Sequence, residues 1–83
     1  MLHIVIWDHD IERIARIERN LSTALKRLSI RAVVTSVSEP PALARSPVAG
    51  KYPALEIAGD FWTLSPGKTI SEENCYALMA MLL

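Results

Sequence analysis

The apolar positions of this chain divide it into runs with two different spacings. Leu2–Trp7 is almost wholly apolar and rich in β-branched residues, which predicts a central strand buried on both faces. From Ile11 to Leu28, apolar residues recur at steps of three and four, which predicts a long amphipathic helix. The predicted buried stripe contains Ile11, Ile14, Ile17, Leu21, Leu25 and Leu28, and the predicted polar side contains Arg13, Arg16, Arg19, Asn20, Thr23 and Arg27.

Asp8-His9-Asp10 separates this strand from this helix. Aspartate is a good helix N-cap, and acidic groups suit the positive end of a helix. The next β-branched run, Ile30–Val37, predicts a second strand. A strand–helix–strand unit of this length implies a right-handed crossover and a parallel pair of strands. Pro40 and Pro41 favour the start of a short helix that ends before Pro47.

The last third of the chain predicts a hairpin followed by a helix. Two apolar runs, Ala54–Ile57 and Phe61–Leu64, flank the turn-forming triplet Ala58-Gly59-Asp60 and are typical of antiparallel strands. Ser71 is a good N-cap for a final helix with acidic residues in its first turn. Its predicted buried stripe contains Cys75, Leu78, Met79 and Leu82.

Composition narrows the class of protein. The 83 residues are 51% hydrophobic, enough for one core, so residues 1–83 are predicted to form a single domain. Nine basic residues balance nine acidic ones, and a neutral chain has no overall field to hold a nucleic acid. No apolar run is long enough to span a membrane, no secretory signal pattern is present, and Cys75 is the single cysteine. These features predict a cytoplasmic protein.

The predicted order is βα, β, a short helix, then ββα, with a mixed four-stranded sheet packed by helices. This order, with a proline at the start of the third strand, resembles the thioredoxin-like fold, and it is similar to the small, glutaredoxin-sized thioredoxins of bacteria and other prokaryotes. Three segments carry the resemblance: Leu2 to Leu28, Tyr52-Pro53-Ala54-Leu55, and Leu64 to Glu73. The resemblance implies a cis peptide bond between Tyr52 and Pro53.

The active site of that family is degenerate in this chain. The family places a Cys-x-x-Cys motif at the start of the first helix, where a thiol becomes a reactive thiolate. Counted from the first strand, those two positions are Asp10 and Arg13, which cannot exchange disulfides. Dithiol–disulfide oxidoreductase activity is therefore not expected, and no catalytic residue is assigned. A lone apolar-face cysteine such as Cys75 is usually a small hydrophobic residue.

The resemblance places the start of the first helix beside the loop that contains the proline. In that arrangement, the residue before the proline offers its backbone to an extended peptide. The expected binding site therefore comprises Trp7, Asp8, His9, Asp10, Arg13, Tyr52 and Pro53. A metal site at Asp8-His9-Asp10 is disfavoured because three consecutive residues rarely converge on one ion. Neither a metal nor a cofactor is expected.

The sequence thus predicts a non-redox thioredoxin-like module that binds a protein or peptide. Two other classes stay open at this point. One is a thiol-dependent oxidoreductase that uses Cys75, or a glutathione-using relative. The other is a structural subunit that forms a homodimer through the edge of the hairpin or through the last helix.

Overall fold

A computed structural model describes residues 1–83 as four strands and three helices. The α/β class, the mixed four-stranded sheet and the short helix after Pro40 are confirmed. The elements are β1 (Leu2–Trp7), α1 (Ile11–Arg27), β2 (Ala32–Val37), α2 (Pro40–Arg45), β3 (Ala54–Ile57), β4 (Asp60–Trp62) and α3 (Glu72–Leu82).

The strands lie in the order β2-β1-β3-β4, so β1 is central. β2 is parallel to β1, while β3 is antiparallel to β1 and β4 is antiparallel to β3. The predicted burial of β1 on both faces is wrong. Ile4 and Ile6 are fully buried, but His3 is exposed and Val5 is only partly buried. The reason is that α1 and α3 cover one face, whereas α2 is short and covers only one end of the other.

The main core lies between the sheet and the helices α1 and α3. Burial of each large aliphatic side chain in such a core contributes roughly 1.5–3 kcal/mol. Ile11 is an exception to the predicted stripe, because it is the first residue of α1 and is 64% exposed. The core contains Ile4, Ile6, Ile14, Ile17, Leu21, Ala24, Leu25, Leu55, Ile57, Ile70, Cys75, Leu78 and Met79.

The end of α1 explains why β2 begins later than the predicted Ile30. The amide of Ile30 donates to the carbonyl of Leu25 at 2.9 Å, and the amide of Ser29 donates to the carbonyl of Lys26 at 3.1 Å. With Ser29 in the left-handed region at φ 55°, these bonds form a Schellman motif. Ile30 therefore belongs to the helix cap, and the strand starts at Ala32.

The hairpin turn is tighter than the predicted triplet. Ala58 and Gly59 both have positive φ, at 53° and 88°, as a two-residue type I′ turn requires. Asp60 therefore pairs with Ile57 as the first residue of β4, and β4 ends at Trp62 rather than Leu64.

Candidate functional site

A buried ion pair lies beneath the start of α1. Asp8 follows β1 and is fully buried, and it accepts two hydrogen bonds from the Arg13 guanidinium. The Nε–Oδ2 distance is 2.5 Å and the Nη2–Oδ1 distance is 2.6 Å. The prediction that Arg13 lies on the polar side of α1 is therefore wrong, because this bidentate pairing holds it at 9% exposure. The hydrogen bond to Asp8 raises the pKa of Arg13.

The other acidic group of the triplet caps the helix. The Asp10 carboxylate accepts a hydrogen bond from the Arg13 amide at 3.0 Å, which lowers the pKa of Asp10. Asp8 also accepts from the amides of His9, at 2.8 Å, and Asp10, at 3.4 Å. Both carboxylates are thus occupied by helix-start and guanidinium donors. No group of three His, Cys, Asp or Glu side chains is arranged to hold a metal ion.

A second polar cluster connects α2 to the loop before β3. The Tyr52 hydroxyl donates to the carbonyl of Leu43 at 2.6 Å, and it also bonds the Ser46 hydroxyl. Ser46 in turn accepts from the Val48 amide at 3.2 Å. These bonds fix the end of α2 against Tyr52, whose peptide bond to Pro53 is cis.

Of the two backbone hydrogen-bonding groups of Tyr52, only the carbonyl has a partner within the chain. Its carbonyl accepts from the Gly67 amide at 2.8 Å. Its amide N–H donates to no acceptor, although Tyr52 as a residue is only 8% exposed. This N–H has no partner within the chain and belongs to a residue that lines a cleft, so it is a candidate contact for a ligand.

A cleft of about 570 Å³ opens between the start of α1, α2 and the Tyr52 loop. Three of the seven predicted site residues line it, namely His9, Arg13 and Tyr52. The imidazole of His9 is 69% exposed and is the most accessible polar side chain of this trio. The remaining lining residues are Pro40, Leu43, Ala44, Ala49, Gly50 and Gly67.

The other four predicted residues do not line the cleft. Asp8 and Pro53 are buried, and Asp10 caps α1. Trp7 packs beside Leu43 and Tyr52, and its indole donates to Glu56 at 3.0 Å. The six lining residues that sequence reasoning missed lie in α2, in the loop after it and in the turn at Gly67. Their small or apolar side chains carry no chemical signal in the sequence.

Cys75 has neither the exposure nor the ionisation of a reactive thiol. Its side chain is fully buried in the main core, and burial raises its pKa to about 11. It is therefore a protonated thiol at neutral pH, without the thiolate that exchange chemistry needs. No cysteine, serine or threonine lines the cleft, and its lining offers hydrogen bonding, apolar contact and the exposed imidazole of His9.

Comparison with known proteins identifies no matching family model, no matching curated relative and no matching solved structure. None of the three helices has the length and apolar character needed to cross a bilayer.

Proposed function

We propose that this chain is a non-redox, thioredoxin-like module that holds an extended segment of a protein or peptide in the cleft beside Tyr52. The thioredoxin-like assignment is supported by the element order, by the mixed sheet with β1 at its centre, and by the proline that precedes β3. Asp10 and Arg13 occupy the positions where that family has its cysteines, so binding rather than redox chemistry is proposed.

The free amide of Tyr52 is the observation that carries the binding proposal. This amide makes no hydrogen bond within the chain, and a peptide carbonyl placed in the cleft would give it a partner, a gain of about 0.5–1.5 kcal/mol. The Tyr52 carbonyl is already occupied by the Gly67 amide. The proposed partner therefore accepts one backbone hydrogen bond here, rather than exchanging the pair expected for full strand addition.

The walls of the cleft indicate the kind of segment that fits. The charge of Arg13 is compensated by Asp8, so it does not present a free cation. Pro40, Leu43 and Ala44 supply apolar surface on the opposite wall. The expected ligand is an extended segment that inserts an apolar side chain against α2, flanked by ordinary peptide backbone.

A thiol-based function gains no support from Cys75. The side chain has no exposed surface, and its raised pKa keeps it in the unreactive form. It also packs on the face of the sheet covered by α1 and α3, whereas Tyr52 and Leu43 pack on the other face.

A displayed library of random linear peptides, selected on the intact chain, tests the proposal. We expect selected peptides to share an apolar position, and Ala44→Glu to weaken their binding at least tenfold by filling the cleft with a charged side chain. Ala80→Glu is the matched control, because Ala80 is an exposed helical alanine on α3. Failure to select any peptide, or equal weakening by both variants, would contradict the proposal.

A further inference from the structure

The outer edge of β2 is a second surface with a specific geometry. β2 is an edge strand of six residues, and it contains no charged residue and no proline. Natural proteins commonly protect such edges with charges, prolines or bulges, because unpaired backbone groups recruit another strand. The other edge, β4, is only three residues long and carries Asp60, so it offers a much poorer template.

The hydrogen bonding of β2 determines which residues face outward. The carbonyl of Val37 accepts from the Asp8 amide at 3.2 Å, so the backbone groups of Val37 face β1. Backbone direction alternates along a strand, which places the groups of Val33 and Thr35 on the β1 side as well. The outward N–H and C=O groups therefore belong to Ala32, Val34 and Ser36.

These outward groups restrict how a second copy can pair. In an antiparallel ladder, hydrogen-bonded residues must lie opposite each other, so outward residues pair only with outward residues. One register with a two-fold axis places Thr35 opposite Thr35 of the second copy and Val34 opposite Ser36. The same register places Val33 opposite Val37, and it brings Arg31 opposite Glu39 on both sides of the axis.

This register is complementary in charge. Arg31 and Glu39 are both exposed, and neither makes an ion pair within its own chain. Glu39 has an extended backbone, at φ −76° and ψ 126°, as continuation of the ladder requires. The chain has a formal net charge of zero, so no long-range repulsion opposes the approach of a second copy.

We propose that two copies of this chain associate through antiparallel pairing of their β2 strands, about a two-fold axis at Thr35. The two symmetry-related Val34–Ser36 pairs form about four backbone hydrogen bonds and join the two sheets into one. None of the β2 residues lines the Tyr52 cleft, so this association is independent of the proposed peptide binding.

Sedimentation velocity of the full chain across concentrations tests the dimer. The expected result is a shift with concentration toward twice the 9.2 kDa chain mass. Thr35→Lys places two like charges side by side at the axis and should abolish the shift, while Thr23→Lys on the exposed side of α1 should leave it unchanged. A single-chain mass at every concentration, or a shift that survives Thr35→Lys, would overturn the proposal.

A charge exchange tests the register itself. Arg31→Glu alone and Glu39→Arg alone should each weaken the dimer by on the order of tenfold, because both ends of the interface then carry like charges. The combined variant restores opposite charges at both ends and should recover most of the lost affinity. Absence of recovery, with the circular dichroism of all variants unchanged, would exclude this register.

Discussion

The largest predicted change in stability concerns the buried ion pair between Asp8 and Arg13. Arg13→Met leaves a fully buried carboxylate with only two backbone donors, at 2.8 and 3.4 Å. Breaking a buried pair from one side costs about 3–5 kcal/mol. Arg13 retains some access to water at 9% exposure, so we expect the lower end, about 3 kcal/mol. Since a domain of this size has a stability of roughly 4–12 kcal/mol, the loss is a large fraction.

The partner substitution should cost less, which makes the two variants distinguishable. Asp8→Asn removes the negative charge but leaves a guanidinium that can reach solvent through the cleft, so we expect about 2 kcal/mol. Because the two side chains interact directly, the double variant should cost about 3 kcal/mol rather than the sum. The predicted coupling energy is therefore about 2 kcal/mol in magnitude.

Urea unfolding followed by circular dichroism and tryptophan fluorescence at pH 7 measures these free energies. Arg19→Met is the matched control, because Arg19 is exposed on α1 and makes no ion pair, and its cost should stay within about 0.5 kcal/mol. A coupling energy below about 0.5 kcal/mol would refute the assignment of Asp8 and Arg13 as a buried, energetically linked pair.

Three further predictions concern single positions. Because burial raises the pKa of Cys75 to about 11, the folded state holds this proton more tightly than the unfolded chain, whose thiol has a pKa near 9.0. This stabilisation is complete below pH 9, so the free energy of unfolding should fall by about 2 kcal/mol between pH 9 and 11. In urea unfolding measured at several pH values, Cys75→Ala should lack this fall. Ser29→Gly should stabilise the chain by about 0.5 kcal/mol because Ser29 has positive φ, whereas Ser22→Gly within α1 should destabilise it by a similar amount. If both variants changed the free energy of unfolding in the same direction, the Schellman cap would be contradicted. Ala58→Asn should raise the thermal midpoint, since asparagine suits the first position of a type I′ turn, and a lowered midpoint would contradict that turn.

Much of the fold follows from local spacing in the sequence. The period of α1, an aspartate cap before it, the cap at Ser71 and the parallel β1–β2 pair are all determined within short segments, and each is confirmed. Of the two candidate aspartates only Asp10 caps α1, because Asp8 pairs with Arg13 instead. The errors occur where tertiary structure decides. Periodicity assigned Arg13 to the polar side of α1, but a pattern of single residues cannot show that Asp8 provides a buried partner.

The candidate site was harder to predict for a related reason. His9, Arg13 and Tyr52 were expected on the resemblance, and they do line one cleft. The opposite wall consists of small and apolar residues such as Ala44, Ala49 and Gly50, whose role depends on where α2 lies rather than on their chemistry. The unpaired amide of Tyr52 could not be predicted, because backbone pairing outside regular strands depends on how the loops lie in the folded chain.

An NMR titration of the ¹⁵N-labelled chain with a selected peptide tests the central claim most directly. We expect the Tyr52 amide resonance to shift strongly and the amide to become protected from hydrogen exchange as it gains an acceptor, with smaller shifts at Gly50 and Gly67 around the cleft. A peptide that binds while the Tyr52 amide keeps its shift and its exchange rate would contradict the account.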